Sequence, residues 1–92
     1  MNRYLVIFDS EMTDEEYSNV EHKIAKYDGW ASITKYAWFI VSNYNSATEI
    51  RDDFNTCFPD HPRVIYVIET SNKEWASCNI ENNIIDWIKF YK

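Results

Sequence analysis

The residue best placed to do chemistry is Asp9, which closes the stretch RYLVIFD at Arg3–Asp9. Apolar residues run from Tyr4 to Phe8 without a polar break and then meet that carboxylate. A short run of branched and aromatic side chains reads as a strand buried on both faces. Strand ends are where a fold presents side chains to solvent, so Asp9 carries the one catalytic expectation in the chain. Ser10 follows it directly, and His61 and Arg63 stand just ahead of a later apolar run, RVIYVIET at Arg63–Thr70. If the two runs are antiparallel neighbours, the end of the first lies beside the start of the second, and Asp9, Ser10, His61 and Arg63 become neighbours.

That set supports two readings. One is a site around Asp9, with Ser10, His61 and Arg63 near it. The other is an Asp9–Arg63 ion pair that fastens the strand ends. Ser42 and Asn43 are expected at the same end as loop hydrogen-bonders, and Glu69 at the opposite end. No nucleophilic triad, phosphate loop or zinc-ligand spacing occurs. Cys57 and Cys78 form no C-x-x-C pattern and read as two free thiols, with a single disulfide as the alternative.

The elements that must position these residues are legible. Thr13-Asp14-Glu15-Glu16 is a capping box, with Met12 and Tyr17 spaced for a hydrophobic staple. The helix it starts should run to about Lys26, burying Tyr17, Val20, Ile24 and Tyr27, with Gly29 as its left-handed stop. Trp30–Val41 reads as a hairpin turning near Thr34–Tyr36. Ser46-Ala47-Thr48-Glu49 is a second capping box, and its helix buries Ala47, Ile50, Phe54 and Cys57 before Phe58-Pro59 ends it. Arg63–Thr70 is the fourth strand. In the tail, Asn79 reads as a cap, and Ile80, Ile84, Trp87, Ile88 and Tyr91 share one helical face.

The order is β-α-β-β-α-β in a core of about residues 1–71, followed by a C-terminal segment with a helix over about 72–92. This is the α+β ferredoxin-like arrangement, a four-stranded antiparallel sheet of order 4-1-3-2 in a single domain spanning 1–92. Two helices cover one face of such a sheet, yet strands 1, 3 and 4 are apolar at odd and even positions alike, where a solvated face would alternate. The tail helix and a homodimer interface are expected to share the second face. Tyr4, Phe8, Trp38, Tyr66 and Trp87 are the aromatic candidates for core or interface contacts. Four of them, Tyr4, Phe8, Trp38 and Tyr66, would also suit a base-stacking platform for RNA.

Composition narrows the function classes. The 92 residues are 46% hydrophobic and 17% aromatic, too apolar for a disordered chain. The fifteen acidic and nine basic residues give a net charge of −6 with no clustered Lys or Arg, which disfavours binding to phosphate backbones. No apolar run approaches a membrane span, and the N-terminus does not read as a signal peptide, so a cytoplasmic location is expected.

Three features resemble a known family. These are the first strand ending in Ile7-Phe8-Asp9, the third strand Ala37-Trp38-Phe39-Ile40-Val41, and Trp75-Ala76 followed by Asp86-Trp87-Ile88 in a final helix. Together they resemble the SinR-like proteins, which are similar to the small ferredoxin-fold CRISPR adaptation protein, a subunit of the spacer-integrase complex. The resemblance implies a homodimer with sheets face to face. It also implies a metal-dependent endonuclease on RNA or DNA, in which Asp9 of each protomer would hold Mg2+ or Mn2+ that activates water. Tyr36 stands where that pattern would have a small hydroxyl residue. The competing class is a non-enzymatic acidic protein that docks on a basic surface of a defence complex, as a phage-encoded inhibitor would.

Overall fold

The computed structural model describes residues 2–43, 45–71, 76, 78 and 81–90. The elements are β1 (Asn2–Phe8), α1 (Asp14–Ile24), β2 (Gly29–Thr34), β3 (Ala37–Ser42), α2 (Ala47–Asn55), β4 (Ile65–Glu69) and α3 (Asn82–Phe90). The antiparallel sheet has the order β2-β3-β1-β4, which is the expected 4-1-3-2 order read from the other edge. The architecture is ferredoxin-like with an added C-terminal helix. The expected tail positions Trp75, Asn79, Ile80 and Tyr91 lie outside the described residues.

Both capping boxes form. Thr13 Oγ1 accepts from the Glu16 amide while the Glu16 carboxylate accepts from the Thr13 amide, and Ser46 and Glu49 repeat the arrangement on α2. α1 ends earlier than expected. Bonds of i→i+3 type, Lys26 to Lys23 and Tyr27 to Ile24, tighten its last turn, and Gly29 opens β2 instead of stopping the helix. Tyr27 still reaches the core, its ring stacked on Phe54 at 5.5 Å between centroids. The hairpin turns at Lys35-Tyr36 as expected, with a bulge between Ser32 and Thr34.

Pleating sorts the sheet into two faces. On the side of α1 and α2, Tyr4, Val6, Phe8, Trp38 and Ile40 pack with Val20, Ile24, Ile50 and Phe54. Phe8 sits edge-on to both Trp38 and Phe54, at 5.6 and 5.1 Å. The second face holds Arg3, Leu5 and Ile7 of β1, Ala37, Phe39 and Val41 of β3, and Tyr66 and Ile68 of β4, as the register requires. α3 packs there on β2, and its Trp87 stacks on Phe39 at 6.1 Å. This cover is partial. Val41 and Ala31 are buried, whereas Ile7, Val64, Tyr66 and Ile68 remain 39, 64, 57 and 42% exposed.

Of the two readings of the aromatics, core burial holds for three of them and the alternative base-stacking platform does not form. Tyr4, Phe8 and Trp38 lie on the helix side, buried to 3% exposure, and Tyr66 alone is on the open face. Strand alternation puts even positions of β1 and β3 under the helices, and pairing Ile7 with Tyr66 puts even positions of β4 on the other side.

The least expected feature is Arg3, a charged side chain only 2% exposed on the second face. Its Nε donates to Thr70 Oγ1 (3.0 Å), Nη2 to the Thr70 carbonyl (3.0 Å) and Nη1 to the Ile88 carbonyl of α3 (3.1 Å). The guanidinium also lies 5.2 Å from the centroid of Phe39. One side chain thus joins β1, the end of β4 and the tail helix. Burial draws its pKa below the ordinary arginine value, and the three carbonyl and hydroxyl acceptors take the place of water. Truncation in Arg3→Ala should cost about 2–4 kcal/mol, because it leaves buried carbonyls unpaired. Arg3→Lys should recover only part of this, since an ammonium cannot reproduce the planar fork. Urea unfolding at neutral pH measures both.

Candidate functional site

Asp9 lies where β1 leaves the sheet, and its carboxylate is occupied by the backbone. Oδ1 accepts from the Glu11 amide at 2.9 Å, and Oδ2 accepts from the Val64 amide at 3.3 Å. The Asp9 amide in turn donates to the Val64 carbonyl at 3.0 Å, and its carbonyl accepts from Met12 at 3.3 Å. The side chain closes the loop into α1 and fastens the chain just before β4, an aspartate's familiar turn-forming role. The amides of Glu11 and then Val64 hold its carboxyl below the usual range, against a smaller opposing effect of desolvation, with Arg63 the least of the causes.

The expected Asp9–Arg63 ion pair is replaced by another. Arg63 forms a forked pair with Glu16, with Nη2–Oε1 at 2.9 Å and Nε at 3.1 and 3.3 Å from the two carboxylate oxygens. The reason is preorganisation. Glu16 is already aimed by its capping-box bond to the Thr13 amide at 2.9 Å, whereas the oxygens of Asp9 are taken by Glu11 and Val64. The Thr13 amide first and Arg63 second draw the Glu16 carboxyl below its ordinary value.

Of the remaining candidates, some face solvent and others lie at the far end of the sheet. Ser10 is exposed. His61 is exposed and borders a depression of about 210 Å3 between α1 and the turn after α2, beside Glu15, Glu16, Cys57 and Asp60. Burial raises the Cys57 thiol, which is inert packing. Ser42 is at the opposite end of the sheet from Asp9, paired in register with Asn2, and Asn43 follows it. The expectation that both sit near Asp9 fails because β3 runs antiparallel to β1, so its end lies by the start of β1. Glu69 pairs in register with Tyr4, at that same far end, as expected.

At that end is a polar cleft of about 440 Å3 that the sequence did not reveal, bordered by Lys23, Lys26, Tyr27, Asn45 and Asp53. Asp53 accepts from Lys23 Nζ at 2.8 Å and from the Tyr27 hydroxyl at 2.7 Å. Burial opposes the charge of Asp53, but Lys23 and Tyr27 outweigh it and its pKa falls. Burial, then the bond to Asp53, pushes the Tyr27 phenol well above its ordinary value. The only sequence signal was the i, i+4 spacing of Lys23 and Tyr27, which does not name a partner thirty residues away.

For a divalent ion the donor set is poor. Among the described residues no three of His, Cys, Asp or Glu come together in a way that could hold a metal. Asp9 is a single carboxylate already bonded to two amides, and the neighbouring Glu16 is committed to Arg63. These residues do not fit a Mg2+ or Mn2+ centre within one protomer. In comparisons with known proteins, no family model, curated protein or solved structure matches the chain. Among the described residues no helix is long and apolar enough to cross a membrane.

Asp9 and Glu16 have depressed pKa values in the folded state, so their stabilisation is present above the unfolded values of about 3.9 and 4.3 and is lost as pH falls through the lower folded values. The urea midpoint of the wild-type protein should therefore drop steeply below about pH 4. Asp9→Asn and Glu16→Gln should each lower the midpoint at pH 7 and flatten that acid limb. Incubation with RNA or DNA and Mg2+ or Mn2+ should give no metal-dependent cleavage. Cleavage by the wild type that disappears in Asp9→Asn would show that Asp9 does more than fasten a loop.

Proposed function

We propose that this chain is a non-enzymatic interaction protein of the SinR-like, CRISPR-adaptation-like kind. Two copies join through the half of the sheet that α3 leaves bare, and the acidic helical layers face outward to dock on a basic protein surface. The observation that carries this reading is the separation of charge from apolar surface. Leu5, Ile7, Val64, Tyr66 and Ile68 make a continuous two-strand patch with no charged side chain, and four of the five are exposed. Of the exposed acids, Asp14, Glu15, Glu21, Glu49, Asp52 and Asp60 belong to α1, α2 and the turn after α2, on the other side of the sheet, while Glu69 ends β4 and Glu81 and Asp86 belong to the start and middle of the α3 segment, outside the patch itself.

A chain of net charge −6 repels its own copy at most approaches. The bare half-face carries no charged side chain of its own, and apolar association is favoured there. The outward acids then form two equivalent surfaces that steer toward a basic partner. The engagement of Asp9 by backbone amides favours this class over the nuclease that the family resemblance implies.

Light scattering at tens of micromolar protein should give twice the 11.1 kDa mass of one chain. Tyr66→Lys and Ile68→Glu should each weaken the dimer by more than ~100-fold, because each buries an unpaired charge at a cost of roughly 3 kcal/mol or more. Their circular dichroism should stay that of the wild type. A wild-type mass of one chain at this concentration would overturn the reading.

A further inference from the structure

The second face of the sheet is uneven, and its shape restricts how two copies can meet. α3 starts beside the β2–β3 turn, with Asn83 and Ile84 near Ser32 and Ile33, and reaches Arg3 at Ile88. It therefore lies along the strands above β2, with Trp87 reaching across to Phe39 of β3. A helix is about 10 Å thick, and stacked sheets are also about 10 Å apart. A second sheet laid on the bare β1–β4 half would occupy the same layer as α3, directly beside it.

Only one symmetry suits this step. A two-fold axis across the strands would drive the α3 of the second copy into the β2–β3 half of the first. A two-fold axis along the strands offsets the copies sideways, so that each bare half covers the other. Each α3 then comes to rest in the layer of the opposite sheet, next to its outer strand. That strand is β4, the open edge. Asp9 N–H to Val64 and Thr70 N–H to Arg3 fix which β4 residues bond to β1. By alternation the backbone groups of Ile65, Val67 and Glu69 face outward. Edge strands are ordinarily blunted by a bulge, a proline, a lysine or a covering element. Each edge strand has a helix on one face, α3 on β2 and α2 on β4, but β2 also has a bulge, whereas β4, IYVIE, has no bulge, proline or lysine within it.

Area points the same way. A five-residue pair of strands measures roughly 17 by 10 Å, about 170 Å2 of flat face, well below the ~800 Å2 per partner of a stable interface. More surface must be enclosed, and α3 offers it. Phe90 follows Trp87 by three positions, on the same side of the helix, and is 79% exposed.

We infer, resting on the homodimer reading above, that the second copy covers the open β4 edge with its α3, the Trp87–Phe90 flank of each helix lying along the β4 of the other. A bis-maleimide cross-linking test in the full chain, with Cys78→Ser as background, separates the two claims. Tyr66→Cys should cross-link to its own copy, which reports face-to-face stacking. Mixed Glu69→Cys and Phe90→Cys proteins should cross-link to one another, and neither should do so efficiently alone. Tyr66→Cys linkage without the mixed Glu69–Phe90 linkage would overturn the α3 placement and leave the homodimer standing. Self-linkage of Glu69→Cys would mean edge-to-edge pairing of β4 and would also overturn it. A single-chain mass with no linkage at any site would remove both claims.

Discussion

The arrangement of this protein depends on one buried cation. Arg3 sits near the start of the central strand, facing away from the main core, and its guanidinium is shared among Thr70, the Ile88 carbonyl and the ring of Phe39. An arginine removed from water must find acceptors, and two of the three it finds are main-chain carbonyls on segments far along the chain. That requirement fixes where the end of β4 and the tail helix stand relative to β1. It also decides which half of the second face is covered, because α3 is tied at Arg3 and Phe39 and leaves Ile7, Tyr66 and Ile68 outside.

The two faces consequently do different work. The helix side is a dense aromatic and aliphatic core in which Phe8, Trp38, Phe54 and Tyr27 interlock, and it gives a small chain enough buried surface to fold. Its outer surface carries Asp14, Glu15, Glu21, Glu49 and Asp52. The second face is half packed and half bare, and the bare half is uncharged. A domain of this size gains from burying such surface against a second copy, which links the stability of the fold to the interaction we propose.

The end of the sheet near Asp9 shows how local preorganisation overrides a plausible neighbour. Asp9 and Glu16 are both within reach of the segment preceding β4, and the sequence favours Asp9 for Arg63 because strand order places them side by side. Glu16 takes the arginine because its capping box holds the carboxylate in position without further loss of side-chain freedom. Asp9, adjacent to a tight loop, satisfies amides that would otherwise be unpaired. Both carboxylates are engaged by backbone amides or by Arg63 in this arrangement, and Ser10 and His61 are exposed.

The sequence by itself determined the elements and their order. Apolar runs, two capping boxes and a hairpin are local signals whose physical causes act within a few residues, so β1 to β4, α1, α2 and the ferredoxin-like topology could be read directly. It also determined that a second face needed cover, since alternation was missing from three strands. Only the tertiary structure decided which acid pairs with Arg63, that Ser42 lies far from Asp9, that Lys23, Tyr27 and Asp53 converge, and that Arg3 anchors α3. Each of these depends on contacts between segments distant in the chain, where antiparallel direction, pleat parity and the desolvation of a single charge choose among partners that spacing alone leaves equivalent.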